Sequence, residues 1–201
     1  RSGLKTLFES VKEHYCANYK LYLLTALVFL FGVCLGAAHV NMLSPDTCQQ
    51  TKEPLSLALK QGRGDPLLVF SNAFWGNVKP VLFVWVAGFV NIRLFLCLFA
   101  VGYKGVVLGF SIGTFLRFWG MRGFLFSVAA VFPQNIVFLP VLFAMCVLCN
   151  RFFYNSQGIR KEDLASYSVL LLLGLIGCVI AALIDAYITG GLLPLLSFLV
   201  Q

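Results

Sequence analysis

The sequence predicts an all-α fold: a polytopic helical membrane bundle of about five spans, with an interfacial helix before the first and a short apolar helix after the last. Three observations carry this expectation. Of 201 residues, 60% are hydrophobic and 11% charged, whereas a soluble domain carries roughly 25% charged residues. The apolar residues come in runs of about 20, the length of a span, the clearest being the uncharged stretch from Leu21 to Val40. Glycine also recurs at four-residue intervals, at Gly32 and Gly36 and again at Gly105, Gly109 and Gly113. On a helix that spacing lays down a smooth stripe against which another helix packs closely.

Fifteen Lys and Arg against eight Asp and Glu give a net charge of +7. The basic residues are spread along the chain at the ends of apolar runs, so they read as topology signals and contacts to lipid headgroups, and nucleic acid is not expected as a partner. Most of the seven cysteines, among them Cys34, Cys97 and Cys178, lie inside apolar runs and behave as small hydrophobes. Cys146 and Cys149 form a C-x-x-C, but no second pair or neighbouring His supports it. Neither a metal nor a cofactor is expected.

Taken in order, residues 1–20 set Leu4, Leu7, Phe8, Val11 and Tyr15 at helical spacing among charged residues, the pattern of an amphipathic cytoplasmic segment on the membrane surface. Residues 21–201 then form a single transmembrane domain. Its first span, Leu21 to Val40, is not followed by a small-residue cleavage pattern and reads as a span rather than a leader. Residues 41–76 are the longest polar interval, an external loop with a short helix from Glu53 to Gln61 and a G-R-G-D-P turn. Phe70, Phe74 and Trp75 supply aromatics suited to the interface where the chain re-enters lipid.

The second span is expected from Asn77 to Gly102, with Lys79 at its mouth and Asn91 and Arg93 well inside. A buried arginine there is a site candidate. Lys104 to Gly120 makes a short third span carrying the second glycine stripe. From Gly123 to Asn150 the apolar run is too long for one straight crossing, and Pro133 and Pro140 divide it. One kinked helix and a re-entrant pair both fit. Ser166 to Tyr187 is the fifth span, with Asp185 near its end, and Leu192 to Val200 is too short to cross.

Placing the N-terminus in the cytoplasm puts eight basic residues inside and six outside, three of the six in the long loop where charge weighs less. Asp185 then ends at the same leaflet as Lys79, Arg117 and Arg122, and pairing with one of the two arginines is expected. Arg93, Gln134, Asn135 and Asp185 form the candidate polar membrane core. They could line a transport path, or the two amides could tie helices together by hydrogen bonds across the bundle.

Enzyme chemistry lacks its residues. The chain has two histidines, His14 and His39, at opposite ends of the first span, and no H-E-x-x-H, G-x-S-x-G or G-x-x-x-x-G-K-[ST]. No catalytic residue is assigned.

Four stretches together resemble the stage II sporulation protein M family of endospore-forming bacteria: S-N-A-F-W-G-N-V-K from Ser71, K-G-V-V-L-G-F-S-I-G from Lys104, F-P-Q-N from Phe132 and D-A-Y-I-T-G-G-L from Asp185. Some members of the broader family carry P-H-G and a following glutamate in the fourth helix. This chain has Pro133, Gln134 and Asn135 instead, which favours the sporulation branch and weakens a proton relay. The resemblance implies a multi-pass protein of the engulfment machinery in the septal, mother-cell membrane. It further implies two peptidoglycan-degrading partners, a lytic transglycosylase and an amidase/endopeptidase, and a distant likeness to ABC-2-type export permeases. On that footing the segment from Asn41 to Trp75 is expected to present the docking face, with Phe70, Phe74, Trp75 and Asn77 as partner-binding candidates. The glycine stripes could also close a homodimer.

Overall fold

A computed structural model describes residues 2–44, 47, 49–53, 65–152 and 161–189. The segment from Leu192 to Val200, and the expected short helix beyond Glu53, lie outside the described residues. Among those described, all regular structure is helical: α1 (Ser2–Asn41), α2 (Pro66–Ala87), α3 (Arg93–Phe152) and α4 (Lys161–Leu183), which widens into a π-helical turn over Ile184–Thr189.

No Pro, and no Gly between Gly3 and Gly32, interrupts the start of α1. It therefore runs unbroken from the polar N-terminal segment into the first apolar run, where a separate surface helix over residues 1–20 was expected.

The second helix begins eleven residues before the expected Asn77. Pro66 occupies the first turn, where its missing donor does no harm, and the Asp65 carboxylate accepts from the Leu67 amide at 3.1 Å. Phe70, Phe74 and Trp75 are thus residues of α2, and the external interval ends at Asp65. The helix also stops early, at Ala87. A tight turn follows, with Gly88, Phe89 and Val90 amides donating to the carbonyls of Trp85, Val86 and Ala87 at 3.1–3.2 Å. Asn91 lies in this turn and Arg93 opens α3, so both sit at the mouth of a span and not partway along one.

At about 1.5 Å per residue the 60 residues of α3 would stretch ~90 Å, three times the roughly 30 Å of bilayer hydrocarbon. The chain reverses instead at Gly120, whose φ of 63° and ψ of −146° belong to a region that side-chain-bearing residues avoid. Residues on the two arms then face each other in antiparallel order. Phe115 meets Phe126 with ring centroids 5.4 Å apart, Lys104 lies 4.6 Å from the Phe138 ring, and the Cys97 and Cys149 sulfurs are 3.8 Å apart. Pro133 and Pro140 lie inside the second arm, which stays helical through both; of the two expected alternatives it is one continuous helix. With α3 counted as two arms, there are five segments of span length among the described residues.

Two interfaces organise them. Buried side chains of α2, both arms of α3 and α4, including Val81, Val84, Val101, Phe138, Leu142 and Tyr167, form the core. Outside it, α1 lies along the first arm of α3 on a seam of glycines. A Cβ added at Gly32 would strike the Gly102 carbonyl, and one at Gly36 the Val106 carbonyl. Added at Gly109, it would come within 2.7 and 2.8 Å of the Val33 carbonyl carbon and Cα; added at Gly113, within 3.0 Å of Ala37 Cα. The two stripes, each expected to meet another helix, therefore meet one another within one chain. Their register, Gly32 beside Gly102 through Ala37 beside Gly113, rises together along both helices, so α1 and the first arm run parallel and cross a bilayer in the same sense. Leu23, Leu27, Leu30, Phe31 and Leu35 on α1 are left exposed to lipid.

Candidate functional site

Apart from Asn18, the buried polar side chains of the described residues fall into two groups. Thr25, Thr114, Ser127 and Asn135 each donate to a carbonyl three or four residues earlier in their own helix, at 2.7–2.8 Å. These bonds satisfy a polar group in hydrocarbon without linking helices. Asn135, expected as a possible tie across the bundle, belongs to this group, since its amide goes to Val131 O. Gln134 beside it is half-buried.

The second group links helices. Lys104, on the first arm of α3, donates to Asn77 Oδ1 on α2 at 2.8 Å and lies over the Phe138 ring of the second arm. Asn77 is 3% exposed, and its Nδ2 finds no hydrogen-bond partner among the described residues. A lysine can only donate, so the amide oxygen must face it and the amide nitrogen must face elsewhere. Asp185, in the π-helical turn, lies within electrostatic range of Lys104. Such one-turn widenings of a helix often accompany functional positions. The guanidinium of Arg117 is engaged elsewhere, donating to the carbonyls of Val40 and Leu43 at the end of α1. Of the two arginines expected as partners of Asp185, Arg117 is thus engaged at the end of α1, and Lys104, which was not a candidate, lies in electrostatic range of the carboxylate.

The depth of this pair follows from the glycine seam. Gly32 stands level with Gly102 and Gly105, and residue 32 is near the middle of the uncharged run from Leu21 to Val40. At ~1.5 Å per residue Lys104 lies only ~2–3 Å from the midpoint of that run. It sits at the midplane of the bilayer that the run implies.

Other candidates fall differently. Asn77 is an interior residue bonded to Lys104 and presents nothing to a docking partner. Phe74 packs against the core cluster, with Phe70 stacked on it at 6.0 Å. Trp75 is exposed, yet it is only two residues from Asn77, within the lipid-facing flank of the span. Leu67, Leu68, Phe70 and Ser71 around the start of α2 line a shallow depression with Asp65 and Phe74.

At the end of the bundle where α2 stops, Cys97, Cys149 and Tyr167 converge. The Tyr167 hydroxyl donates to the Trp85 carbonyl at 2.7 Å and lies 3.4 Å from Cys149 Sγ. Its ring stacks on Trp85 at 5.8 Å. This closes the frayed end of α2 with a side chain. Among the described residues no group of three or more His, Cys, Asp or Glu could hold a metal ion.

These features define a class: a multi-pass helical membrane protein with a glycine-sealed bundle and a lysine–amide pair at its midplane. Comparison with protein families gives the particular one. The family model for stage II sporulation protein M matches residues 25–190, so the chain belongs to that family. No curated protein and no solved structure matches it. It is a sporulation membrane protein, from a family not known as an enzyme family.

Proposed function

We propose that this chain is a non-enzymatic scaffold of the sporulation engulfment complex. It holds peptidoglycan-degrading partners, a lytic transglycosylase and an amidase/endopeptidase, at the septal membrane of the mother cell. Its N-terminus is cytoplasmic in this reading, and the segment joining α1 to α2 faces the partners. Family membership supports the sporulation context. The observation that carries the docking role is the apolar rim at the start of α2: Leu67 is 74% and Leu68 60% exposed beside Phe70, just where the long polar interval meets the bilayer. Clustered apolar side chains framed by polar chain are what partner surfaces look like.

Replacing residues 50–65 with a Gly/Ser linker, or Leu67 and Leu68 with serine, leaves membrane insertion intact and abolishes co-purification of both hydrolases from sporulating cells. Unchanged recovery of both refutes the reading. One observation favours a second reading, an ABC-2-type permease subunit: a lysine–amide pair at mid-membrane is costly in a pure scaffold. Under that reading a soluble nucleotide-binding subunit co-purifies through the chain between α3 and α4.

A further inference from the structure

On α2, Gly76, Lys79, Phe83 and Val86 follow at intervals of three, four and three residues, which sets them on one face of the helix, and all four are exposed. That face borders a groove of about 540 Å³ between α2 and the first arm of α3, with Lys79 and Phe83 on one side and Phe99 and Tyr103 on the other. The aromatic walls suit hydrocarbon, but the lysine does not. Lys79 stands two residues from Asn77, the partner of Lys104, so at ~1.5 Å per residue it lies within ~6 Å of the midplane. With a hydrocarbon half-thickness of ~15 Å, the headgroups are too far for a four-methylene stem to carry its ammonium to them. Among the described residues Lys79 makes no ion pair or hydrogen bond. Asp185 is half-buried and lies in range of Lys104. An ammonium is thus left facing lipid without a counter-charge.

We propose that this face docks a transmembrane helix of another protein, one that carries a carboxylate at mid-span and pairs it with Lys79. Charge complementarity carries the choice of occupant. Ionisable groups inside a span persist where they pair with one another, and at this depth neither leaflet offers a headgroup to do so. Gly76 admits a close approach, since nothing lies within 4 Å of a Cβ placed there. Phe83 and Phe99, 41% and 61% exposed, then flank the incoming helix. A second copy of the chain does not fit. A two-fold contact presents the same surface from both chains, so Lys79 would meet Lys79, and the half-buried Asp185 is held in range of Lys104. The contact lies half a span from the apolar rim at Leu67 and Leu68 and holds whether or not the hydrolases are the partners.

The test places the full chain, with photoreactive p-benzoylphenylalanine in place of Phe99, in phosphatidylcholine nanodiscs together with a synthetic leucine–alanine transmembrane helix. The helix carries one central glutamate or, as the control, one central glutamine, so either insertion direction brings that residue to the midplane. The expected result is crosslinking that favours the glutamate helix by roughly tenfold, about the effect of one charged contact. Lys79→Gln, at an exposed position where folding is not at stake, removes that preference, and Lys79→Arg keeps it. Gly76→Leu, which meets nothing within the chain, lowers capture of the glutamate helix by blocking its approach. Equal capture of the two helices overturns the proposal, as does a preference unchanged in Lys79→Gln. A crosslink between two copies of this chain that the glutamate helix does not displace also overturns it, because the face is then an interface of the chain with itself.

Discussion

Replacing Gly109 by alanine tests the seam between α1 and α3, and Gly76 supplies the control within the same molecule. Both substitutions add one methyl group in a helix interior. The methyl at Gly109 would lie 2.7 and 2.8 Å from backbone carbons of Val33, against the 3.4–4 Å of ordinary contact, so the two helices must separate by about 1 Å. Backbone cannot swing aside as a flexible side chain can. Overpacking of this kind costs ~1–3 kcal/mol, while alanine recovers ~0.5–1 kcal/mol of helix propensity relative to glycine. The sum is a destabilisation of ~1–2 kcal/mol. At Gly76 nothing lies within 4 Å of the added methyl, so only the propensity gain of ~0.5–1 kcal/mol remains and the sign reverses. Reversible unfolding in mixed micelles, followed by helical circular dichroism with increasing dodecyl sulfate, reads both. If Gly109→Ala is as stable as the wild type, or both variants shift the same way, the seam is not held by glycine contact.

Three further outcomes follow from single contacts. A double-mutant cycle on Lys104→Met and Asn77→Leu returns a coupling of ~1.5–3 kcal/mol for a charged hydrogen bond in the interior; additivity in the micelle assay would contradict the pair. Gly88→Ala drives a methyl to 2.7 Å from the Tyr167 ring and 3.0 Å from Cys149 Sγ. It lowers stability by ~1–3 kcal/mol, whereas Tyr167→Phe, which keeps the ring and loses the hydroxyl's bond to Trp85 and its contact with Cys149, lowers it by ~0.5–1.5 kcal/mol; equal effects would argue against the clash. Arg117→Gln frees the carbonyls of Val40 and Leu43, and amide exchange should rise at residues 41–44 and not along the middle of α1.

The class of fold was legible because lipid imposes it: composition, run length and glycine spacing each report the solvent directly. That Gly32 and Gly36, and likewise Gly105 and Gly109, pack against another helix was legible, though a stripe does not say that its partner lies in the same chain. Span boundaries were misread for one physical reason. Taking Lys104 as the end of a span pushed the second span forward to Gly102 and left Arg93 inside it. The turn at residues 88–92 shows the opposite, since Arg93 and Arg117 bracket the first arm and Lys104 sits near its centre. The signal was there in the Asp65–Pro66 start and in Gly88, a start and a stop framing α2. The site itself needed the fold, because Asn77 and Lys104 are 27 residues apart and meet only once α2 and α3 pack antiparallel.

The magnitudes around Lys104 explain why stability alone does not account for it. A lysine at the centre of a bilayer costs about 2.5–3.5 kcal/mol on insertion scales. Its bond to Asn77 returns ~1.5–3 kcal/mol and the Phe138 ring ~0.5–2 kcal/mol. The balance lies near zero, and the same packing position filled by leucine or methionine would carry no such penalty. Asn77 adds a second debit of ~1–3 kcal/mol, because its Nδ2 is buried without a partner. A pair that gains the fold nothing is what a ligand-binding position requires, donors held ready at the expense of the unliganded state, and it is the ground on which the permease reading stands.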